Sequence, residues 1–580
     1  MRSSSSVIAC AMVAAFAMIA SPRGATPRFY PDDPIAVDND RLIDVTGSHK
    51  VDLDDYYDFL KNTFALPGDR RNVHAINVNT LDEVPDSSWF TNRIGVRDLT
   101  AAELVRGPNR EVKFGTGWTI TRGKNRGFQP GFKAVDRSDP SGTVYQLEVD
   151  PPAHPEMSSG AEVVGSKFYH AFGYHTVEMY LAEVDPATLE ISPKATIKDA
   201  NGRRPFVRHD LDQILKNAAR LPNGHIRVTA ERQLGNDDMG RFEYQGTRGD
   251  DPNDIYPHEH RRELRGSRVF AAWLDHDDSR ALNTMVIRRH ENGRAHLQYM
   301  LVDFGSTLGS ATRFPHDAQS GHEYTIAKRP SLLTLFSFGL YVRPWLFLPD
   351  PAVPPAVGRF SAEGFDPRTW VAEYRKTAYD NMRPDDAFWA ARIVARFSDD
   401  VIRTIVGTGQ YSDPATIDIL TGTIIKRRDR IKEVYLTAVN PIVNVTLSRE
   451  GELKFENAAL QYGIGGKPDG YALRWSRFDN ATDSLSPVGD ESTVTDMQAR
   501  APSGLLEGSD YVSVRIDTRH PHFPGWVPVQ VYFRRTAAGW QTVGLERGLD
   551  PKEPPPLKTA LKTGDSGRSP RSRDPRERRS

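Results

Sequence analysis

Two short stretches bring together residue types that can move a proton and hold a hard metal ion. The first is His276-Asp277-Asp278-Ser279-Arg280-Ala281-Leu282-Asn283; the second, after an apparent hairpin, is Asp303-Phe304-Gly305. An aspartate and an asparagine five residues apart on one tight loop can both face a phosphate, while a strand delivers a second carboxylate from the other side. Two oxygen donors completed by waters and phosphate oxygens suit Mg²⁺, which seldom has an all-protein cage. Arg280 lies two positions after Asp278, and a cation there stabilises charge developing on a transferred group.

The surrounding pattern supplies elements to position these groups. Gly266 to Leu274 is an apolar helix-like run entering the loop, and Thr284 to Ile287 and Leu297 to Val302 read as strands around the turn Glu291-Asn292-Gly293. Upstream, Trp118 to Arg122 and Phe132 to Asp136 read as strands joined by a glycine-bearing loop, in which Gly123 and Gly127 would let the backbone approach phosphate. A third strand, Thr143 to Asp150, precedes a helix over about Ser158 to Phe172. An ordinary hairpin with an Asp-rich loop is the competing reading.

H-x-D, then Asn after five residues, then D-F-G resembles the active-site order of the protein-kinase-like superfamily, more closely its atypical exported members, over about residues 111 to 438. The resemblance implies Asp278 as the base that takes a hydroxyl proton and Asn283 and Asp303 as Mg²⁺ ligands. It places Arg280 on the γ-phosphate and makes Glu162 the acid of the small-lobe helix. It also implies Mg or Mn with ATP. The third strand departs from the pattern: Glu148 stands where the family carries a lysine for the α- and β-phosphates. Lys133, one strand away, has the reach to supply that ammonium; a solvated strand lysine is the alternative. Lys124 and Lys167 are poorer candidates. His258 and His260 lack a spaced third metal ligand and read as a polar helix start.

Composition bounds the rest. At 580 residues with 38% hydrophobic and 26% charged side chains, the chain can bury several cores, and a net charge of −1 gives no global field for nucleic acid. The apolar run Val7 to Ala20, with Arg2 before it and small residues after it, reads as a secretory signal peptide and is short for a stable membrane helix. The expected location is therefore exported, periplasmic or extracellular, with no transmembrane helix in the mature chain. Cys10 is the only cysteine, so a mature chain has no disulfide or thiolate chemistry.

The expected fold class is α+β: a two-lobed protein-kinase-like fold with an appended C-terminal β-sandwich-like domain. We divide the chain into a signal peptide (1–25), an extended strap (26–110), a small lobe (111–235), a helical large lobe (236–438), a β domain (439–548) and a basic tail (549–580). Trp89 and Phe90 would pack the strap onto the next domain or line a ligand rim, and Trp389, Ile393 and Phe397 form a core stripe. The loop 306–329 is small and polar, suited to substrate binding. The expected partners are a nucleotide and a protein or small-molecule hydroxyl. An exported pseudokinase that binds or scaffolds, or a purely structural envelope protein, is the nonenzymatic alternative.

Overall fold

A computed structural model describes residues 26–548 apart from 116, 125, 126, 128, 200 and 350. The signal-peptide and basic-tail readings lie outside the described residues. The chain is mixed α and β, with about a quarter of it in helix and a quarter in strand, distributed over several sheets.

Strands β1 (Trp118–Gly123), β2 (Gly131–Asp136) and β3 (Val144–Val149) form the middle of a seven-stranded sheet. Its order is Met179–Val184, Ile226–Arg232, β3, β2, β1, Glu190–Asp199, Gly202–Pro205. All pairings are antiparallel except that of β1 with Glu190–Asp199. Met179–Val184 and Glu190–Asp199 are separated by a turn at Pro186–Thr188, where Pro cannot donate to a ladder. Period-two burial sorts the two faces of β3. Tyr145, Leu147 and Val149 are buried with Trp118, Ile120, Phe132 and Val228 in the sheet's own core, so Gln146 and Glu148 project from the opposite face.

The helix Met157–Phe172 leaves that sheet and enters the main core. There Phe168 and Phe172 meet Phe270 and Trp273 of the helix Arg262–Leu274 and Phe397 beyond the helix Pro384–Ala395; the Phe172 and Phe270 rings stack at 4.2 Å. Trp389, Ile393 and Phe397 are core residues here. Ser398 caps the helix Asp399–Gly407 by accepting from Val401 N, and Asp413, followed by Pro414, caps Pro414–Tyr435. Trp89 stacks on Tyr299 at 3.7 Å beneath the Arg261 guanidinium, and Phe90 is fully buried, so both side chains are packing anchors remote from any rim.

His258 and His260 form a short 3-10 turn just before Arg262–Leu274, and partners occupy both ring nitrogens of each. His258 meets Glu243 O and Asp254, and His260 meets Asp69 and Arg265. Beyond them, Arg262 is completely buried between Asp82 (2.5 Å), Asp385 (2.7 Å) and Asp386 (3.2 Å), with His74 3.1 Å from Asp82. His74, Asp82 and Asp385 have the spacing of a metal site, but the guanidinium already supplies the cation.

From Ile442 the chain forms two sheets around a common core that includes Leu453, Leu473, Trp475, Val514 and Phe533. The start of the strap packs there too: Phe29 contacts Phe478 and Tyr532, and Arg28 N donates to Asn480 O.

Candidate functional site

The turn after Arg262–Leu274 begins with Asp275 in the left-handed region (φ 57°), which reverses the chain into the loop 276–283. His276 is buried and accepts or donates through Nδ1 to Tyr169 Oη at 2.9 Å; burial, aided by Lys376, pushes its pKa down to about 3, so it is neutral and structural. Asn283 turns its amide nitrogen to Asp278, 2.8 Å from the backbone oxygen and 3.1 Å from Oδ2. That orientation leaves the amide oxygen available as a ligand. Val302 N donates to Asn283 O at 3.1 Å, which ties the end of the hairpin to the loop. Asp303 follows, also left-handed (φ 63°), and its carboxylate opens onto a cleft of about 420 Å³.

Asp277, Asp278, Arg280 and Asp303 all line that cleft, as do Lys124 and Gly127 from the loop after β1 and Glu148 from β3. Glu162 stands behind Asp303: it is buried, and its Oε1 accepts from Phe304 N at 3.1 Å. Two glycines make this approach possible. A Cβ on Gly305 would lie 3.1 Å from Glu162 Oε2, and one on Gly165 would lie 2.7 Å from Phe304 Cβ; the second distance is shorter than packed carbons tolerate.

The electrostatics are those of crowded carboxylates. Burial, against Arg280 and with help from Asp303, pushes Asp278 up to about 8. Asp303 is raised by its dense surroundings and by Glu148, with Lys124 and Arg280 pulling the other way. Glu162 is raised well above the carboxylate range by burial and Asp303, and Glu231 is pushed up to about 7 by burial, Glu148 and Asp303. Like charges in one site disfavour joint ionisation, and a bound cation reverses that preference. Asp278 Oδ1 makes no hydrogen bond, because Arg280 Nε, although 2.8 Å away, is not aligned to donate. Among the described residues nothing donates a hydrogen bond to the Asp303 carboxylate.

The cationic side of the cleft differs from expectation. Lys133 shares the cleft-side face of β2 but is paired in register with Gln146, donates to Gln233, and is not among the lining residues. It forms no ion pair with Glu148 or Glu162. Lys124, rated the poorer candidate, is the residue that reaches the cleft: its Nζ lies 2.6 Å from Glu148 Oε1 and donates to Gln129 O at 3.1 Å. Lys167 instead donates to Arg106 O outside the cleft. Gly127 (φ 86°) lines the cleft beside Lys124, whereas Gly123 is pressed against Ile197, where a Cβ would meet the side chain at 2.8 Å. Arg280 stacks on Tyr374 and bridges Asp278 to Asp55 of the strap at 2.9 Å.

Four residues around the loop 276–283 carry no signal in the sequence. His316, buried, lies 3.0 Å from Asp277 and 3.3 Å from Asp275. Burial opposes its charge, yet the two aspartates push its pKa up to about 10, so it is a fixed cation between the loop 276–283 and the loop 306–329. Ser306 Oγ donates to Asp277 at 2.8 Å. From the far side, Glu373 N donates to Asp277 O at 2.9 Å, and buried Lys376 donates to Ser279 Oγ at 2.6 Å while lying 3.8 Å over the Tyr379 ring. No motif marks these residues.

The protein-family models, curated proteins and solved structures with which the chain was compared gave no match.

Proposed function

We propose that the cleft binds a nucleotide with Mg or Mn and that the protein is an exported kinase-like phosphotransferase acting on a protein or small-molecule hydroxyl. The observation that carries this reading is that Asp278 and Asp303, 25 residues apart, line one cleft with Gly127 of the glycine-bearing loop, while Asn283, not itself a lining residue, is hydrogen-bonded to Asp278. Asp303 and the free amide oxygen of Asn283 would hold the metal. Asp278, whose Oδ1 accepts no hydrogen bond, would take the hydroxyl proton as general base. Arg280 and Lys124 supply positive charge on either side of the space a phosphate chain would fill. The metal, when bound, contributes neutralisation of phosphate charge.

The second reading, a pseudokinase that binds or scaffolds, is favoured by Glu148 at the third-strand position and by its pairing with Lys124, which leaves that ammonium partly neutralised. Single-turnover assay of γ-phosphate release or transfer with ATP and Mn²⁺ separates the two. Turnover that is lost in Asp278→Asn supports the phosphotransferase, and binding without turnover supports the pseudokinase.

A further inference from the structure

Between 322 and 349 no residue is fully buried, and the middle of the segment is largely exposed. It forms a helix, Lys328–Phe336, a left-handed turn at Phe338 and Gly339, and a 3-10 turn, Pro344–Phe347. Such a segment is normally polar. This one exposes Leu335 (67%), Phe336 (76%), Phe338 (95%), Leu340 (83%) and Phe347 (77%), and none of them has a core to join. A contiguous exposed apolar surface of this kind marks an interaction site.

Charge and shape identify the partner. From Ile326 to Pro349 the only charged residues are Lys328, Arg329 and Arg343; there is no acid. Arg343 is matched at the root by Glu323, which leaves Lys328 and Arg329 exposed at the shoulder of the finger. Lys328 lies 5.3 Å over the ring of Phe64, itself exposed. Trp345 is half-buried at the root, where its indole N–H donates to Glu323 at 2.9 Å. Large apolar side chains at the tip, basic residues at the shoulder and an amphipathic aromatic at the base are the arrangement that enters the headgroup and upper acyl region of an anionic bilayer. The apolar residues come from a helix, a turn and a 3-10 turn in succession, so they follow no single helical or strand period. A bilayer accepts such a surface without a matching shape, whereas a protein groove requires one. No described helix is long and apolar enough to span a membrane, so the finger would lie in the interface.

We infer that the segment 326–349 docks the protein on an anionic lipid surface. Glu323 and Thr325 at its root line the cleft, so docking would present the cleft to the membrane. Docking is independent of whether the cleft binds a nucleotide.

Vesicle flotation of the purified chain tests this, with phosphatidylglycerol–phosphatidylcholine mixtures against pure phosphatidylcholine. The wild type is expected to float with the anionic vesicles. Phe336→Ser/Phe338→Ser/Leu340→Ser should weaken binding at least about tenfold, and Lys328→Gln/Arg329→Gln should remove the preference for anionic lipid. These sites pack against no core, so an unchanged melting curve is expected. Brominated lipid gives a second reading: it should quench the tryptophan fluorescence of the wild type, and Trp345→Phe should abolish most of that quenching. A wild type that stays unbound overturns the inference. So does a triple variant that floats equally well, or a concentration-dependent dimer that the triple substitution dissolves.

Discussion

Lys124 Nζ lies 2.6 Å from Glu148 Oε1, so the acid of the third strand is matched by a cation from the glycine-bearing loop instead of by Lys133. A phosphate entering the cleft would compete with Glu148 for that ammonium. Lys124→Met is therefore expected to weaken ATP affinity about tenfold, roughly 1.4 kcal/mol, and Lys133→Met to leave it within about twofold. Titration of both variants checks this. Equal losses would return Lys133 to the site.

Stability should depend on pH in a defined direction. Asp278 and Glu231 titrate near 8 and 7 in the folded chain against ordinary values of 3.8 and 4.5. The folded state thus binds protons that the unfolded state has released. Their contribution to stability is fully present below about pH 4 and is lost as pH rises through about 7 to 8. The metal-free protein should melt lower at about pH 8.5 than at about pH 5 by this contribution. At one fixed Mn²⁺ concentration the increment in Tm should be larger at the higher pH, reaching the equivalent of about 2.7 kcal/mol where that concentration is a hundredfold above Kd. Asp303→Asn should raise the metal-free Tm at high pH and remove the Mn²⁺ increment. An increment that is the same at both pH values would contradict the crowded-carboxylate account.

The contrast between legible and hidden parts of the site has a physical cause. Asp278, Asn283 and Asp303 are joined by a local hairpin whose alternation and turn residues are written in consecutive positions, so the return of the hairpin end to the loop 276–283 could be anticipated. Lys124 could not be ranked above Lys133 because the choice depends on sheet register. Lys133 faces Gln146 and Gly131 faces Glu148, and register is set by long-range pairing. His316 reaches Asp277 through loop packing, which has no period to detect. The buried Arg262 is the clearest case. Pro257 to Arg265 reads as a solvated helix start, and only Asp82, Asp385 and Asp386, more than a hundred residues away along the chain, make burial of that charge tolerable. The mixed α and β character and the β domain over 439–548 were visible because burial alternates within its strands.

That arginine cluster has its own test. Removing one partner from a buried ionic network leaves the others uncompensated, so Arg262→Leu should cost about 3–5 kcal/mol in chemical denaturation. Chelators should leave the wild-type Tm unchanged at this locus, since the guanidinium occupies the centre of His74, Asp82 and Asp385. A chelator-sensitive transition that His74→Ala abolishes would show a metal there instead.

The proposed division of labour at the cleft gives the most direct test, a calorimetric titration of ATP with Mg²⁺ or Mn²⁺ into the wild type, Asp303→Asn and Asp278→Asn, paired with turnover on the same samples. The account predicts metal-dependent binding by the wild type and loss of that binding in Asp303→Asn. In Asp278→Asn it predicts binding close to the wild type but turnover lower by about 10²–10⁴. No metal-dependent nucleotide binding by the wild type, or binding that Asp303→Asn leaves intact, would contradict it.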